Sequence, residues 1–442
     1  MPKTPVSLHI SLLLILAVAS ECRVPAQDLP AAALNDFLDP QHGLTEADLV
    51  ARALASNPTL TVDRGQIGIA QGNLAQARLR KNPSLSLDGL KEVNGDDHRF
   101  GIGGTMPLEL FARRARRTEV AERNLDFTRD TVSDKERLLT GQVGTLFGEA
   151  LAAVRNLGFA EQLLEANRNF LKLLEDRVRE GATPSLDADE LRVEVNRVDA
   201  QRVDAQAKAE VALLALKEMA NMQPEEQIHV RGSLELPVRS FDSGELLQLA
   251  AAHRPDLAAQ RASESLAAAD LHQQQILGKP DASLSVSYQR PNSGFAQQAL
   301  DSAGVLRPIR QSFNYAVFGL DINLPVFNRN QGAIAADAAA ISSARSRIVA
   351  VNLALRHEVA QNLIRYNSAQ ATITVYRDGV RNQAAKNLGV VRQTYRYGRN
   401  TLLDVIAEQR RYIDIEIGYT GVLANAYAAR VALEQSIGTT LP

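Results

Sequence analysis

The stretch GATPSLD, residues 181–187, recurs near the end of the chain as GRNTLLD, residues 398–404. Both read G-x4-L-D, and long sequences with helical patterning flank each of them. Glycine commonly ends a helix because it adopts the left-handed cap conformation without a side-chain clash. An aspartate in the first turn of the next helix is favoured by the helix dipole. Each stretch therefore predicts the tip of a long helical hairpin, turning at Gly181 or Gly398.

The repeat extends beyond the tips. Pro58 and Pro83 recur as Pro255 and Pro280, both 197 positions later, whereas the tip glycines lie 217 positions apart. The second half must therefore contain 20 extra residues between these landmarks, and we expect them at 291–311. Self-similarity over so long a period indicates a duplicated architecture rather than a short solenoid repeat.

The bulk properties and the N-terminus exclude several classes of protein. The formal net charge of −2 gives no basic field for nucleic acid. Residues 1–26 are predicted to be a secretory signal peptide, with Lys3 before an apolar run. Cys22, the only cysteine, is either removed with that segment or lipidated, so no disulfide can form within the chain. No later stretch is long and apolar enough for a membrane-spanning helix.

Each half is expected to contain two helices, a strand pair and a long helical hairpin. Residues 27–222 form the first predicted repeat, 223–240 a link and 241–442 the second repeat. The absence of proline predicts unbroken helices from Arg113 to Glu180 and from Gln331 to Tyr397.

The return helix of the first hairpin has coiled-coil spacing, with apolar residues in steps of three and four. These residues are Leu191, Val195, Val198, Ala205, Ala209, Ala212, Leu216 and Met219. In the link, Ile228, Val230 and Leu234 suggest a short strand.

The clearest strand runs from Tyr315 to Leu324. Alternate positions place Ala316, Phe318, Leu320, Ile322 and Leu324 on one face and mostly polar or small residues on the other. About ten alternating residues suit a transmembrane strand. Four such strands per chain cannot close a barrel, and an open sheet edge is excluded from lipid. Three chains would supply 12 strands.

These features resemble the TolC family of outer-membrane efflux ducts over nearly the whole mature chain. The segment LPVFNRNQG, residues 324–332, resembles the cation and heavy-metal (Czc/Cus-like) branch, and Pro107–Leu110 followed by Arg113 is its weaker first-half counterpart. The resemblance implies a mainly α fold with a small membrane β part. A long coiled-coil α-barrel would lie in the periplasm, and a 12-stranded β-barrel in the cell outer membrane would be shared by a homotrimer.

The resemblance also implies a function and partners. The chain would be the passive exit duct of a tripartite efflux system for heavy-metal cations, with a periplasmic adaptor (membrane fusion) protein and an inner-membrane RND-type pump. Drugs or other organic solutes are the alternative substrates. A periplasmic coiled-coil scaffold or adaptor is an alternative from another class.

In such ducts the hairpin tips close the periplasmic end. By position, the gate candidates are Asp187, Tyr395, Arg399, Asn400 and Asp404. Asp187 and Asp404 could equally be helix caps. Where other members carry a further acidic ring, this chain has Ala407, which implies a weaker attraction for cations at that level.

No other chemistry is indicated. Pro325, Asn328, Arg329 and Gly332 are interpreted as a strand-to-helix junction, in which Asn328 caps and Gly332 permits a bend. No P-loop, G-x-S-x-G or H-E-x-x-H motif occurs. The seven histidines have no metal-ligand spacing. The sequence therefore predicts no enzyme, no cofactor and no metal site.

Overall fold

The computed structural model describes residues 37–442, so the predicted signal peptide and Cys22 lie outside the described residues. The first half contains α1 (Glu46–Ser56), α2 (Pro58–Arg78), β1 (Ser84–Lys91), β2 (His98–Pro107), α3 (Arg113–Arg179) and α4 (Ser185–Met219). The second half contains α5 (Ser243–His253), α6 (Pro255–Leu277), β3 (Asp281–Leu300), β4 (Leu306–Ser312), β5 (Tyr315–Asn323), α7 (Gln331–Thr374), α8 (Asn382–Arg396) and α9 (Leu402–Ile437). Within these residues no helix combines the length and apolarity needed to cross a membrane.

The first long helix, α3, is continuous over 67 residues, as the absence of proline predicted. At about 1.5 Å per residue it spans about 100 Å. The second long helix follows the expected path, but its predicted continuity is wrong in detail. Between α7 and α8, residues Val375–Arg381 form a π-helical segment. A π segment lengthens the hydrogen-bonded ring by one residue without needing a proline, so helical periodicity did not reveal it.

Packing places α3 at the centre of the molecule, in contact with α2, α4, α6 and α9. The largest apolar cluster includes Phe147, Leu151 and Tyr419. The link between the halves lies on this cluster through Ile228, Val230 and Leu234, all buried. The predicted short strand is wrong, because Val230 forms only isolated bridges to Leu38 and Leu44.

The coiled-coil seam of α4 is confirmed at most of its positions. Leu191, Val198, Ala209 and Leu216 are at most 1% exposed, and Val195 is 7% exposed. Small side chains along this seam let α4 pack closely against α3.

All strands belong to one antiparallel sheet in which β1, β2 and β3 are neighbours and both β4 and β5 pair with β3. The structure thus has five strands where four were predicted. β4 and β5 nevertheless keep the same register on β3: Asn292 pairs with Ser312, and Gln289 pairs with Tyr315. β4 and β5 therefore lie in line as one edge strand, interrupted at residues 313–314, which we call the β4–β5 path. The sheet is thus four strand positions, or tracks, wide. Its two edges, β1 and the β4–β5 path, are unpaired among the residues that the structure describes.

The 20 extra residues of the second half extend one hairpin. β3 continues past the end of β2, where His98 pairs with Asn292, and β4 returns beside it. The extension from Asn292 to Leu300 is about 26 Å long at ~3.3 Å per residue. Asp97 anchors its base: its Oδ1 accepts from the Gly294 N–H at 2.9 Å and lies 3.3 Å from the Arg310 guanidinium. The position of the insertion is confirmed, but its strand character was not predicted.

The register sorts the sheet into two chemically different faces, because side chains alternate along a strand. One face carries Leu85, Leu87, Phe100, Ile102, Met106, Leu284, Val286, Phe318, Leu320 and Ile322. The other carries Ser84, Ser86, Gly101, Gly103, Thr105, Ser283, Ser285, Ser287, Gly319 and Asp321. The apolar face is open, with Phe318 exposed to 75%. An open apolar face this broad is typical of a surface that contacts lipid or another protein.

Candidate functional site at the hairpin tips

The two hairpin tips share one way of ending a helix. Gly181 has φ +73° and Gly398 has φ +69°, the left-handed conformation expected from the sequence. After α3, the Ala182 N–H donates to the Arg177 carbonyl at 2.9 Å, and the Gly181 N–H donates to the Val178 carbonyl at 3.0 Å. The equivalent bonds follow α8. Both are Schellman caps, which satisfy the last carbonyls of the helix.

The tips differ in how the next helix begins. Before α9, the Thr401 Oγ1 accepts from the Asp404 N–H, and Asp404 Oδ2 accepts from the Thr401 N–H at 2.9 Å and from its hydroxyl at 2.8 Å. These hydrogen bonds, led by the one from the Thr401 backbone, lower the pKa of Asp404. The corresponding cap of α4 is Pro184, which makes no side-chain capping bond. Asp404 is thus held as a helix cap, whereas Asp187 has no equivalent partner.

The two tips pack against each other through Tyr395. Its ring lies edge-on to Phe170, with 6.0 Å between the ring centroids. Leu174, Leu191 and Leu402 are buried beneath this pair. Burial raises the pKa of the Tyr395 phenol, and the nearby charge of Asp187 raises it further. Tyr395 and Asp187 are therefore the two gate candidates that the structure brings together.

The remaining candidates stand apart. Arg399 is exposed and Asn400 is half-buried. Within residues 37–442, their side chains form no hydrogen bond or ion pair, and neither does that of Asp187. Ala407 is exposed one turn after Asp404. In a single chain, the side chains of Asp187, Arg399 and Asn400 are therefore available to contacts outside it, whereas that of Asp404 is bonded to Thr401.

A row of buried polar side chains, which we call the polar ladder, lies between the hairpin helices beyond the tips. The sequence analysis did not predict it. Glu194 of α4 is only 1% exposed and accepts hydrogen bonds from Arg197 and Arg410. Burial opposes its ionisation, but these two guanidinium groups outweigh that cost and lower its pKa. The Gln409 amide donates to Asn167 at 2.8 Å and accepts from Arg392 at 3.2 Å.

A sequence signal for this ladder existed on α9. Its buried positions follow steps of three and four: Leu402, Ile406, Gln409, Ile413, Glu416, Thr420 and Leu423. This is a coiled-coil seam with polar residues at three core positions. A polar residue in such a seam typically fixes the register of the paired helices at some cost in stability. The ladder therefore aligns α9 with α3 and α4.

The strand-to-helix junction corrects two details of its interpretation. The bend lies at Asn330, with φ +61°, and Gly332 has no left-handed conformation. Asn328 does not cap α7; its Oδ1 accepts from the Asn330 N–H at 2.9 Å. The Asn330 amide in turn donates to the Gln274 side chain at 2.6 Å. Asparagine suits both positions, because its side chain bonds nearby backbone, as that of Asn328 does, and its backbone tolerates the left-handed region, as that of Asn330 does. Pro325 follows the end of β5, where no ladder bond is needed.

Known proteins match this chain in both sequence and fold. The sequence matches the family described as "Outer membrane efflux protein" over residues 49–222 and 246–439, which is most of its length. The chain belongs to the outer membrane efflux protein family. It is 24% identical over 399 residues to the cobalt-zinc-cadmium resistance protein CzcC of Cupriavidus metallidurans, spanning 89% of this chain and 90% of that protein.

Solved channels share the fold at low identity. CusC has a TM-score of 0.71 at 17% identity, covering 91% of this chain and 93% of its own. The open-state MtrE outer membrane channel of Neisseria gonorrhoeae has a TM-score of 0.69 at 17% identity, covering 93% and 92%. The family membership places this protein in the outer membrane, with its helices in the periplasm, and makes it a transport protein rather than an enzyme. The alternative of a purely periplasmic scaffold is thereby set aside.

Proposed function

We propose that three copies of the chain form one closed exit duct for heavy-metal cations. The observation that carries this proposal is the sheet, which has four tracks, two unpaired edges and one open apolar face. Backbone groups at an open edge cannot stay unpaired in hydrocarbon. Pairing β1 of one chain with the β4–β5 edge of the next satisfies both edges, and three chains then give 12 tracks.

The closed sheet would direct its two faces to different surroundings. The aliphatic and aromatic face would contact lipid, and the Ser/Gly face would line the duct. Small hydroxyl and glycine positions leave the lumen wide and polar, which suits hydrated ions. This arrangement matches transmembrane barrels in general, which are apolar outside and polar inside.

Cations are the favoured cargo on two grounds. The LPVFNRNQG segment resembles the cation-efflux branch, and the relative CzcC is named for cobalt, zinc and cadmium resistance. Residues 37–442 contain no group of three or more His, Cys, Asp or Glu side chains arranged to hold a metal. A duct needs only weak contacts with its cargo, because tight binding slows release. Specificity and energy would come from an inner-membrane RND-type pump, joined to the tips through a periplasmic adaptor.

The tips would form the periplasmic gate. Threefold symmetry would bring three copies of Asp187 and three of Asp404 around the axis, where like charges repel unless donors intervene. Tyr395, Arg399 and Asn400 are the candidate donors at the tips, and of these the structure brings Tyr395 close to Asp187. The Asp404 carboxylate already accepts hydrogen bonds from Thr401. The Asp187 carboxylate is therefore the one better able to accept a hydrogen bond from a neighbouring chain.

Deleting the gene and measuring growth and cell-associated metal tests the function. The deletion should increase sensitivity to one or more of zinc, cobalt, cadmium, copper and silver, and the wild-type gene should restore tolerance. A variant lacking the β1–β2 hairpin, residues 84–107, is the matched control, because it should not restore tolerance. Unchanged metal tolerance together with increased drug sensitivity would contradict the metal assignment and favour organic solutes.

A further inference from the structure

An exposed cation lies in, or in the helical turn next to, each of the four connections between the sheet and the helices. The connection from α2 to β1 carries Arg80 and Lys81, and the one from α6 to β3 carries Lys279. Arg114 stands in the first turn of α3, seven residues after β2 ends at Pro107. Arg329 lies between β5 and α7. We call these five residues the junction collar: Arg80, Lys81, Arg114, Lys279 and Arg329.

No collar cation is neutralised by an ion pair among residues 37–442. Two carboxylates at this level, Glu109 and Asp281, are paired with other arginines, although the Lys81 charge also acts on Glu109. Glu109 lies 2.6 Å from Arg117, and Asp281 lies 3.4 Å from Arg113. The collar therefore carries five positive charges, none of them in an ion pair among the described residues, in a chain whose formal net charge is −2. Three copies would give a ring of fifteen.

Local helix preference does not explain this charge. α3 begins with Arg113 and Arg114 and has no acidic residue in its first turn. Positive charge at a helix N-terminus opposes the helix dipole, which favours anions there. The basic residues thus cost helix stability in isolation, and an external anion at this level would offset that cost.

Large apolar side chains lie beside the collar. Phe327 is 93% exposed, Val326 is 61% exposed and Phe111 is 51% exposed. The Lys279 ammonium lies over the Phe111 ring at 5.5 Å from its centroid. The collar therefore combines aromatic and basic groups at the end of the open apolar face. Aromatic and basic residues with this placement are typical of the boundary between hydrocarbon and lipid headgroups.

We propose that the junction collar binds the phosphates of anionic phospholipids in the periplasmic leaflet of the outer membrane. The apolar face ends at this level, and the helices beyond it lie in the periplasm, so the collar faces the headgroups of that leaflet. Guanidinium and ammonium groups both donate to phosphate oxygens. The inference rests on the outer-membrane placement of the sheet. It adds a lipid-binding surface that fixes the depth of the sheet in the membrane.

Lipid binding to the purified full chain tests the collar. Detergent-solubilised protein would be titrated with dioleoylphosphatidylglycerol or dioleoylphosphatidylcholine, and bound lipids counted by native mass spectrometry. Wild type should prefer phosphatidylglycerol. Replacing the five collar residues by glutamine should abolish the preference, with affinity falling about fivefold for each cation removed. The control replaces five exposed cations on the helices by glutamine: Lys135, Lys172, Arg347, Arg356 and Lys386. It should keep the preference.

Three results would overturn the proposal. One is equal affinity of wild type for both lipids, and another is an equal loss in the collar and control variants. The third is a collar variant that keeps its lipid preference but loses binding to purified peptidoglycan, since the collar would then recognise the cell wall. Channel assembly separates this failure from a failure of the duct itself. If the wild-type protein forms a conducting trimer but shows no lipid preference, only the lipid-binding proposal is contradicted. If it forms no trimer, the proposed duct is contradicted as well.

Discussion

Replacing Asp187 by alanine tests whether the tips form a gate. The carboxylate makes no hydrogen bond within residues 37–442, yet its charge acts on Tyr395 of the other hairpin. If it accepts a hydrogen bond from a donor on a neighbouring tip, each such bond contributes about 1.5–3 kcal/mol. Losing this hydrogen bond shifts the equilibrium constant between the closed and open states towards the open state, by at least about tenfold for each chain. Single-channel conductance in a planar bilayer should therefore rise.

The capping box at the other tip supplies the control. Asp404→Ala removes both a charge and a cap, whereas Thr401→Ala removes the cap and leaves the charge. A cap contributes about 0.5–2 kcal/mol to helix stability and none directly to the gate. We therefore expect Asp187→Ala to raise conductance most, Asp404→Ala to raise it less and Thr401→Ala to leave it unchanged. Wild-type conductance in the first two variants would refute the reasoning, as would equal increases in Asp404→Ala and Thr401→Ala.

Three further predictions concern stability and the extended hairpin. Gly398→Ala should destabilise the tip by about 1–2 kcal/mol because alanine is strained at positive φ, and Gly389→Ala, in open space on α8, should not lower the melting temperature followed by circular dichroism. Glu194→Gln should cost about 1–3 kcal/mol in denaturant unfolding at pH 7. Because the folded-state pKa of Glu194 is lowered, that stabilisation is present above its unfolded pKa and is lost as pH falls through the folded value, so variant and wild type should converge in acid. Replacing residues 295–309 by Asn-Gly should leave trimer mass and conductance unchanged, since that segment pairs only with itself; loss of assembly would show that it joins neighbouring chains.

Glycine and proline residues at the helix ends made much of the fold predictable from the sequence. Gly181 and Gly398 end helices in the left-handed conformation, and Pro58 and Pro255 begin them, because their backbone preferences act locally. The two-residue alternation of β5 likewise follows from having one apolar face. These signals are independent of tertiary context, so the sequence displays them directly.

The unpredicted features depend on context instead. Residues 291–311 lack alternation, and only the pairing of the end of β3 with β4 makes them strands. The π segment at Val375–Arg381 lies within a proline-free stretch of helical patterning, and its glycine and valines weaken helix propensity without predicting a π turn. Of the gate candidates, sequence could align Asp187 with Asp404 but could not show that Thr401 satisfies only one of them. The buried Glu194 needed its partner Arg410 from another helix, 216 positions away.

The number of chains in the solubilised protein tests the central claim most directly. The four-track sheet has two unpaired edges, which three chains can close between them. Native mass spectrometry of protein extracted from outer membranes in mild detergent should give three chains in one complex. A stable monomer whose strands are inserted in the membrane would contradict the account, because its open edges would leave backbone groups unpaired in lipid.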